Sequence, residues 1–123
     1  MARVVLPVTN PPGKYPVVPL AALSADITWT AADVVNKEQV ALTGREIVLA
    51  WNTDAGAQTV TINSSPDPQS RTADIAAYSI GAGLISGFGP FPLEGWAQGD
   101  GTLHLEASSA NVKFAVLRLP ALN

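Results

Sequence analysis

Glycine and proline interrupt this chain so often that helices have little room. The 123 residues include ten of each. Proline breaks a helix and glycine weakens one, and few stretches of three helical turns escape both. Between the interruptions, apolar and polar residues alternate with a period of two, the pattern of strands that bury one face. An all-β chain is the expectation, and the pattern argues against a helical bundle.

Composition narrows this further. Hydrophobic residues make up 47% and charged residues only 14%, where about 25% charged is usual. Such a chain has enough apolar surface to bury, which excludes intrinsic disorder, and its length fits one domain. The net charge is −3. The basic residues Arg3, Lys14, Lys37, Arg45, Arg71, Lys113 and Arg118 are scattered, with no two adjacent. They form no electrostatic footprint for nucleic acid and no polybasic strip for a membrane surface. Cysteine is absent, which removes disulfides, zinc–thiolate sites and a thiol nucleophile together. The apolar stretch near the N-terminus is cut by Pro7, too short for a signal peptide, and no segment reaches the length of a membrane span. A soluble protein made in the cytoplasm is expected.

Residues 1–24 read as an extended arm and residues 25–123 as the β domain. Five of the ten prolines (Pro7, Pro11, Pro12, Pro16 and Pro19) lie in the first twenty residues. Proline fixes φ and removes a donor, so this stretch is neither helix nor central strand. It is nonetheless apolar, with Val4, Val5, Leu6, Val8, Tyr15, Val17, Val18 and Leu20. It must lie against its own sandwich or against a neighbouring subunit. Deleting residues 1–20 is expected to leave a folded domain.

Past the arm, strands are expected at 27–30, 38–42, 46–52, 58–63, 73–80, 84–88, 102–107 and 112–119. The segment 58–63 (QTVTIN) alternates most cleanly, with Val60 and Ile62 on one side. In 102–107, Leu103, Leu105 and Ala107 point in, while Thr102, His104 and Glu106 point out. Thr43-Gly44-Arg45 between two strands reads as a hairpin connection, and Gln98-Gly99-Asp100-Gly101 as a tight turn. Asp33 ends a stretch like a capping box, good for one helical turn at most. Residues 93–97 form a short turn or strand carrying Trp96. Short strands with turns every few residues imply a single antiparallel β-sandwich or jelly roll.

Catalytic chemistry finds few parts. His104 falls on the polar side of its strand, and no serine sits in a nucleophile-elbow turn to be activated. One histidine leaves an imidazole-rich metal site without ligands. Asp54, Asp67, Asp74 and Asp100 sit in or near turns, where aspartate usually bonds its own backbone. An enzyme would need two of them converging near His104. Trp29, Trp51 and Trp96 could stack on sugars, but they serve more often as core or interface anchors. The glycines of 81–89 form turns and bulges rather than a phosphate cradle. No cofactor and no metal are expected.

Three stretches carry a resemblance when taken together. The first runs from Pro11-Pro12-Gly13 to Thr28-Trp29-Thr30-Ala31-Ala32-Asp33. The second is Thr43-Gly44-Arg45-Glu46-Ile47-Val48-Leu49, with Asn52 and Thr59-Val60-Thr61-Ile62. The third links Phe88-Gly89-Pro90-Phe91, Gly95-Trp96 and Lys113-Phe114-Ala115-Val116-Leu117-Arg118-Leu119-Pro120. In this order they resemble small proteins encoded beside the structural genes of tailed bacteriophages and prophages, virion components of the head-decoration (cementing) type. The shared stretches are turns and strands with no chemical signature. The resemblance therefore implies a class, virion assembly, and no catalytic residue.

It implies a non-enzymatic protein on the capsid exterior, made in the host cytoplasm. Its partners would be the major capsid protein and its own copies, as a homotrimer, with no nucleic acid and no membrane. Low charge and exposed apolar positions fit that role. A proline-stiffened arm loses little extra entropy when it docks. The contact residues expected are Tyr15, Val17, Val18 and Leu20 of the arm, with Phe88, Phe91 and Trp96 as anchors. The alternative is a glycan- or host-surface-binding module of the tail or virion.

Overall fold

The computed structural model describes residues 3–11, 26–66 and 74–119. Strands form both where apolar and polar residues alternate, as in 58–63 and 102–107, and in the apolar runs 46–52 and 112–118, and no helix occurs among the described residues. In chain order the strands are β1 (Val4–Val5), β2 (Val8–Thr9), β3 (Thr30–Ala31), β4 (Glu38–Ala41), β5 (Glu46–Asn52), β6 (Gln58–Asn63), β7 (Ile75–Ile80), β8 (Ile85–Phe88), β9 (Thr102–Ala107) and β10 (Val112–Arg118). They build two sheets. The first has the order β1-β4-β9-β6-β7, and the second β2-β10-β5-β8, with β3 also paired to β10. The chain is a β-sandwich, as its composition and periodicity imply.

Between the sheets lies one core. β6 contributes Val60 and Ile62, β9 Leu103, Leu105 and Ala107, β4 Val40, β5 Val48 and Ala50, and β10 Val112, Phe114 and Val116. Each larger side chain contributes about 1.5–3 kcal/mol when fully removed from water. The inward residues expected on 58–63 and 102–107 are the ones found.

The longer strands pair antiparallel, and β10 runs against β5 over its whole length, from Val112↔Asn52 to Arg118↔Glu46. Both sheets are nevertheless mixed, because β1 joins β4 and β2 joins β10 in parallel. The arm boundary at residue 24 is therefore corrected for residues 3–11. They cross from the edge of one sheet to the edge of the other around Pro7. Leu6, between the two short strands, is 2% exposed and belongs to the core. Proline is tolerated because both strands lie at edges, where a missing donor breaks no ladder. Residues 12–25 lie outside the described residues.

Two further expectations change. Of 27–30, only Thr30 pairs, with Phe114. A single turn follows Asp33, within the limit of one helical turn, and Asp33 caps it by accepting the N–H groups of Val35 at 3.0 Å and Asn36 at 2.9 Å. Thr43-Gly44-Arg45 is not a hairpin, because β4 and β5 belong to different sheets.

The cause of that last difference is Glu46, which is completely buried. Its carboxylate accepts the Thr43 N–H at 2.7 Å, the Thr43 hydroxyl at 2.7 Å, the Gly44 N–H at 3.1 Å and the Arg45 N–H at 3.2 Å. Arg118 Nε also donates to it. These donors would otherwise be orphans in a chain that leaves one sheet for the other. Burial alone would push the carboxyl up, but the hydroxyl and N–H of Thr43, Arg118 and the Arg45 N–H outweigh it and hold it at about 2.

Candidate functional site: the outer face of the second sheet

The two outer faces of the sandwich differ in chemistry. On the first sheet, β9 turns Thr102, His104 and Glu106 outward, β6 turns out Thr59, Thr61 and Asn63, and β4 turns out Gln39. Polar links cross this face. Lys37 Nζ lies 3.1 Å from Glu106, and the Ser108 hydroxyl accepts the Thr59 N–H at 2.8 Å. Such a face suits water.

The second sheet is apolar on both faces. The register of β5, β10 and β8 turns Ile47, Leu49, Trp51, Ala115, Leu117 and Ile85 outward, with Lys113 as the one charge among them. Ile85 is exposed, Ala115 is enclosed, and the others are half-buried. Trp51 meets Trp29 at 5.4 Å between ring centroids, tilted by 60°. Lys113 Nζ sits 5.8 Å from the Trp51 ring centroid, within cation–π range. Leu49 lies across Gly87, with a methyl 3.5 Å from where a β-carbon there would stand. The face continues onto a flank where the terminal strands β7 and β8 lie together. Tyr78 packs edge-on to Phe88 at 5.4 Å, and Leu84, Ile85 and Leu93 stand exposed nearby in sequence. Neither β7 nor β8 carries a charge, so this flank lacks one guard against edge pairing, while the irregular β6–β7 register and the shortness of β8 supply others.

The residues expected as contacts fare differently. Tyr15, Val17, Val18 and Leu20 lie outside the described residues. Phe88 faces inward on β8, half-buried against the core. Phe91 is 3% exposed and belongs to the core, so it presents nothing to a partner. Trp96 lies 4.9 Å from Phe91 and packs beside it. The prolines and glycines around Phe91 imitate an exposed loop, but the loop folds back and seats the ring. Trp51 is one of the tryptophans already weighed as core or interface anchors; Ile47, Leu49, Leu117 and Ile85 are residues that the sequence reading does not single out. Their signal was the failure of alternation in EIVLAWN and VKFAVLR, since a strand apolar at successive positions is covered on both faces.

The candidate catalytic groups take local roles, and Asp100 lies near enough for its charge to act on His104. Asp54 accepts the Ala55 N–H at 2.7 Å and bonds Gln58, and both hold its carboxyl low. Asp74 is lowered by the hydroxyl and N–H of Ser64, each at 2.7 Å. Asp100 is lowered by the Thr102 hydroxyl at 2.6 Å. Burial, with help from Arg3, lowers His104 against the opposing pull of Asp100. Asp67 lies outside the described residues. Among the described residues no three of His, Asp and Glu gather into a metal-binding group. Comparison with known protein families, curated proteins and solved structures finds no match.

Proposed function

We propose that this protein is a non-catalytic structural subunit of a tailed-phage virion that binds the capsid exterior and stabilises it. One observation supports this reading above the others: the sandwich has a polar face for water and an apolar face built like an interior. The outer face of the second sheet is then covered by other protein, copies of itself in a trimer and the major capsid protein. Interfaces of the standard size, about 1,600 Å², suffice when many copies act together. The uncharged β7–β8 flank extends the same sticky surface.

The test is co-sedimentation of the purified protein with expanded capsids lacking it. Saturable binding that Leu49→Lys abolishes, with the fold intact by circular dichroism, supports the proposal. Absence of binding, or equal binding by the variant, contradicts it. The Trp29–Trp51 pair with Lys113 beside it favours a second reading, a glycan-binding surface, because aromatic faces stack on sugar rings. Saturable quenching of tryptophan fluorescence by host polysaccharide would select that alternative.

A further inference from the structure

Glu38 opens β4 with its side chain inside the sandwich, and none of it is exposed. Its Oε2 accepts the Asp33 N–H. Its Oε1 is buried and finds no hydrogen-bond partner among the described residues. A second acceptor two residues away, Asn36 Oδ1, is also buried without a donor. Turning the amide over does not help, because Nδ2 already donates to Asp33 Oδ2 at 2.9 Å. Two acceptors within three residues of the chain, one on the turn and one opening β4, are thus buried without a donor.

The charges around Glu38 do not supply it. Arg3, arriving from the β1 side, directs Nη1 to the carbonyls of Glu38 at 3.0 Å and Leu105 at 3.4 Å. Lys37 is engaged with Glu106 of β9 on the outer face. His104, opposite Gln39 on β9, also faces outward. Asp33 from the turn and Glu106 from β9 are both acidic.

We propose that Glu38 is carried as the neutral acid with its proton on Oε1, and that this proton latches the N-terminal segment onto the first sheet. A protonated carboxyl gains a donor while keeping an acceptor, so a proton on Oε1 removes the unpaired charge and offers a donor on the side of Asn36. The ionised form would instead leave a buried charge with one oxygen unpaired. Burial is the largest influence and pushes this carboxyl upward, with the charges of Asp33 and Glu106 adding to it. The Asp33 N–H and Arg3 oppose.

Because the folded value is raised, the latch is complete below the ordinary 4.5 and is lost as pH rises through the folded value. Ionisation then draws Arg3 off the two carbonyls that tie it to β4 and β9. The next bonds along are Val4 N–H to Lys37 O and Leu6 N–H to Gln39 O, both 2.9 Å. The edge of the first sheet thus becomes the pH-sensitive part of the fold.

The experiment uses the full chain, wild type and Glu38→Gln. NMR follows the Glu38 side-chain carbon through a pH titration. Hydrogen exchange follows the Val4 and Leu6 amides, corrected for the intrinsic pH dependence. Glu38 is expected to titrate above the ordinary glutamate value. Protection of both amides should fall through the same range, about tenfold for each unit by which the carboxyl is raised. Glu38→Gln, which offers a permanent donor, should remain flat. Titration at or below 4.5, or a variant whose protection falls as in wild type, overturns the latch. If the variant does not fold, the wild-type titration decides the question alone.

Discussion

Glu46 is a carboxylate inside a sandwich, and it is tolerated because five donors converge on it from Thr43, Gly44, Arg45 and Arg118. Its folded value of about 2 lies below the ordinary 4.5. The stability it contributes is therefore present above 4.5 and is lost as pH falls toward 2. A shift of this size corresponds to about 3 kcal/mol at neutral pH. Glu46→Gln should lose roughly that amount in urea unfolding at pH 7 and much less near pH 2. An equal loss at both would mean that packing, not charge, is what the carboxylate provides. Nearby, two glycines separate two effects. A β-carbon at Gly89 (φ +107°) would stand 2.8 Å from the Glu46 carbonyl oxygen, whereas one at Gly44 (φ +99°) would meet nothing within 4 Å. Gly44→Ala carries only the conformational cost, about 1–3 kcal/mol. Gly89→Ala should cost visibly more in thermal unfolding, since backbone cannot move aside cheaply. Equal costs would show that the close approach relaxes without penalty.

Among the elements, β1 and β2 change what truncation should do. Leu6 is buried between them, so removing residues 1–20 strips the core and both outer pairings as well as the proline-rich segment. Leu6→Ala alone should cost about 2–5 kcal/mol in denaturant unfolding. A loss within experimental error would return residues 3–11 to the role of a detachable arm. The sequence hides this because two-residue strands carry no periodicity, and a proline between valines looks the same docked or free. By contrast β6 and β9 were legible to the residue, since one polar and one apolar face leave a clean alternation. The break between β4 and β5 was legible as a turn but not as a change of sheet. Both strands bury alternate residues either way, and only the donors gathered by Glu46 distinguish an arch from a hairpin. The candidate interface was visible as a lack of alternation in β5 and β10. Which residues faced outward required the register, and Phe91 shows how readily a core aromatic in a glycine–proline loop passes for a surface anchor.

At the scale of the whole molecule, the sandwich has one face that water satisfies and one that it does not. A sheet apolar on both sides is the arrangement of a protein interior, and under the proposed function other subunits complete it. Ile47 and Leu117 sit opposite one another on that outward face, away from the core, so charges placed there should spare the fold and disrupt assembly. The most direct measurement is sedimentation velocity over a wide range of concentration, on wild type and Ile47→Lys/Leu117→Lys. Wild type is expected to assemble into a discrete oligomer, the trimer, while the variant sediments as a folded monomer. A wild type that stays monomeric throughout, or a variant that assembles equally well, would contradict the covered-face reading.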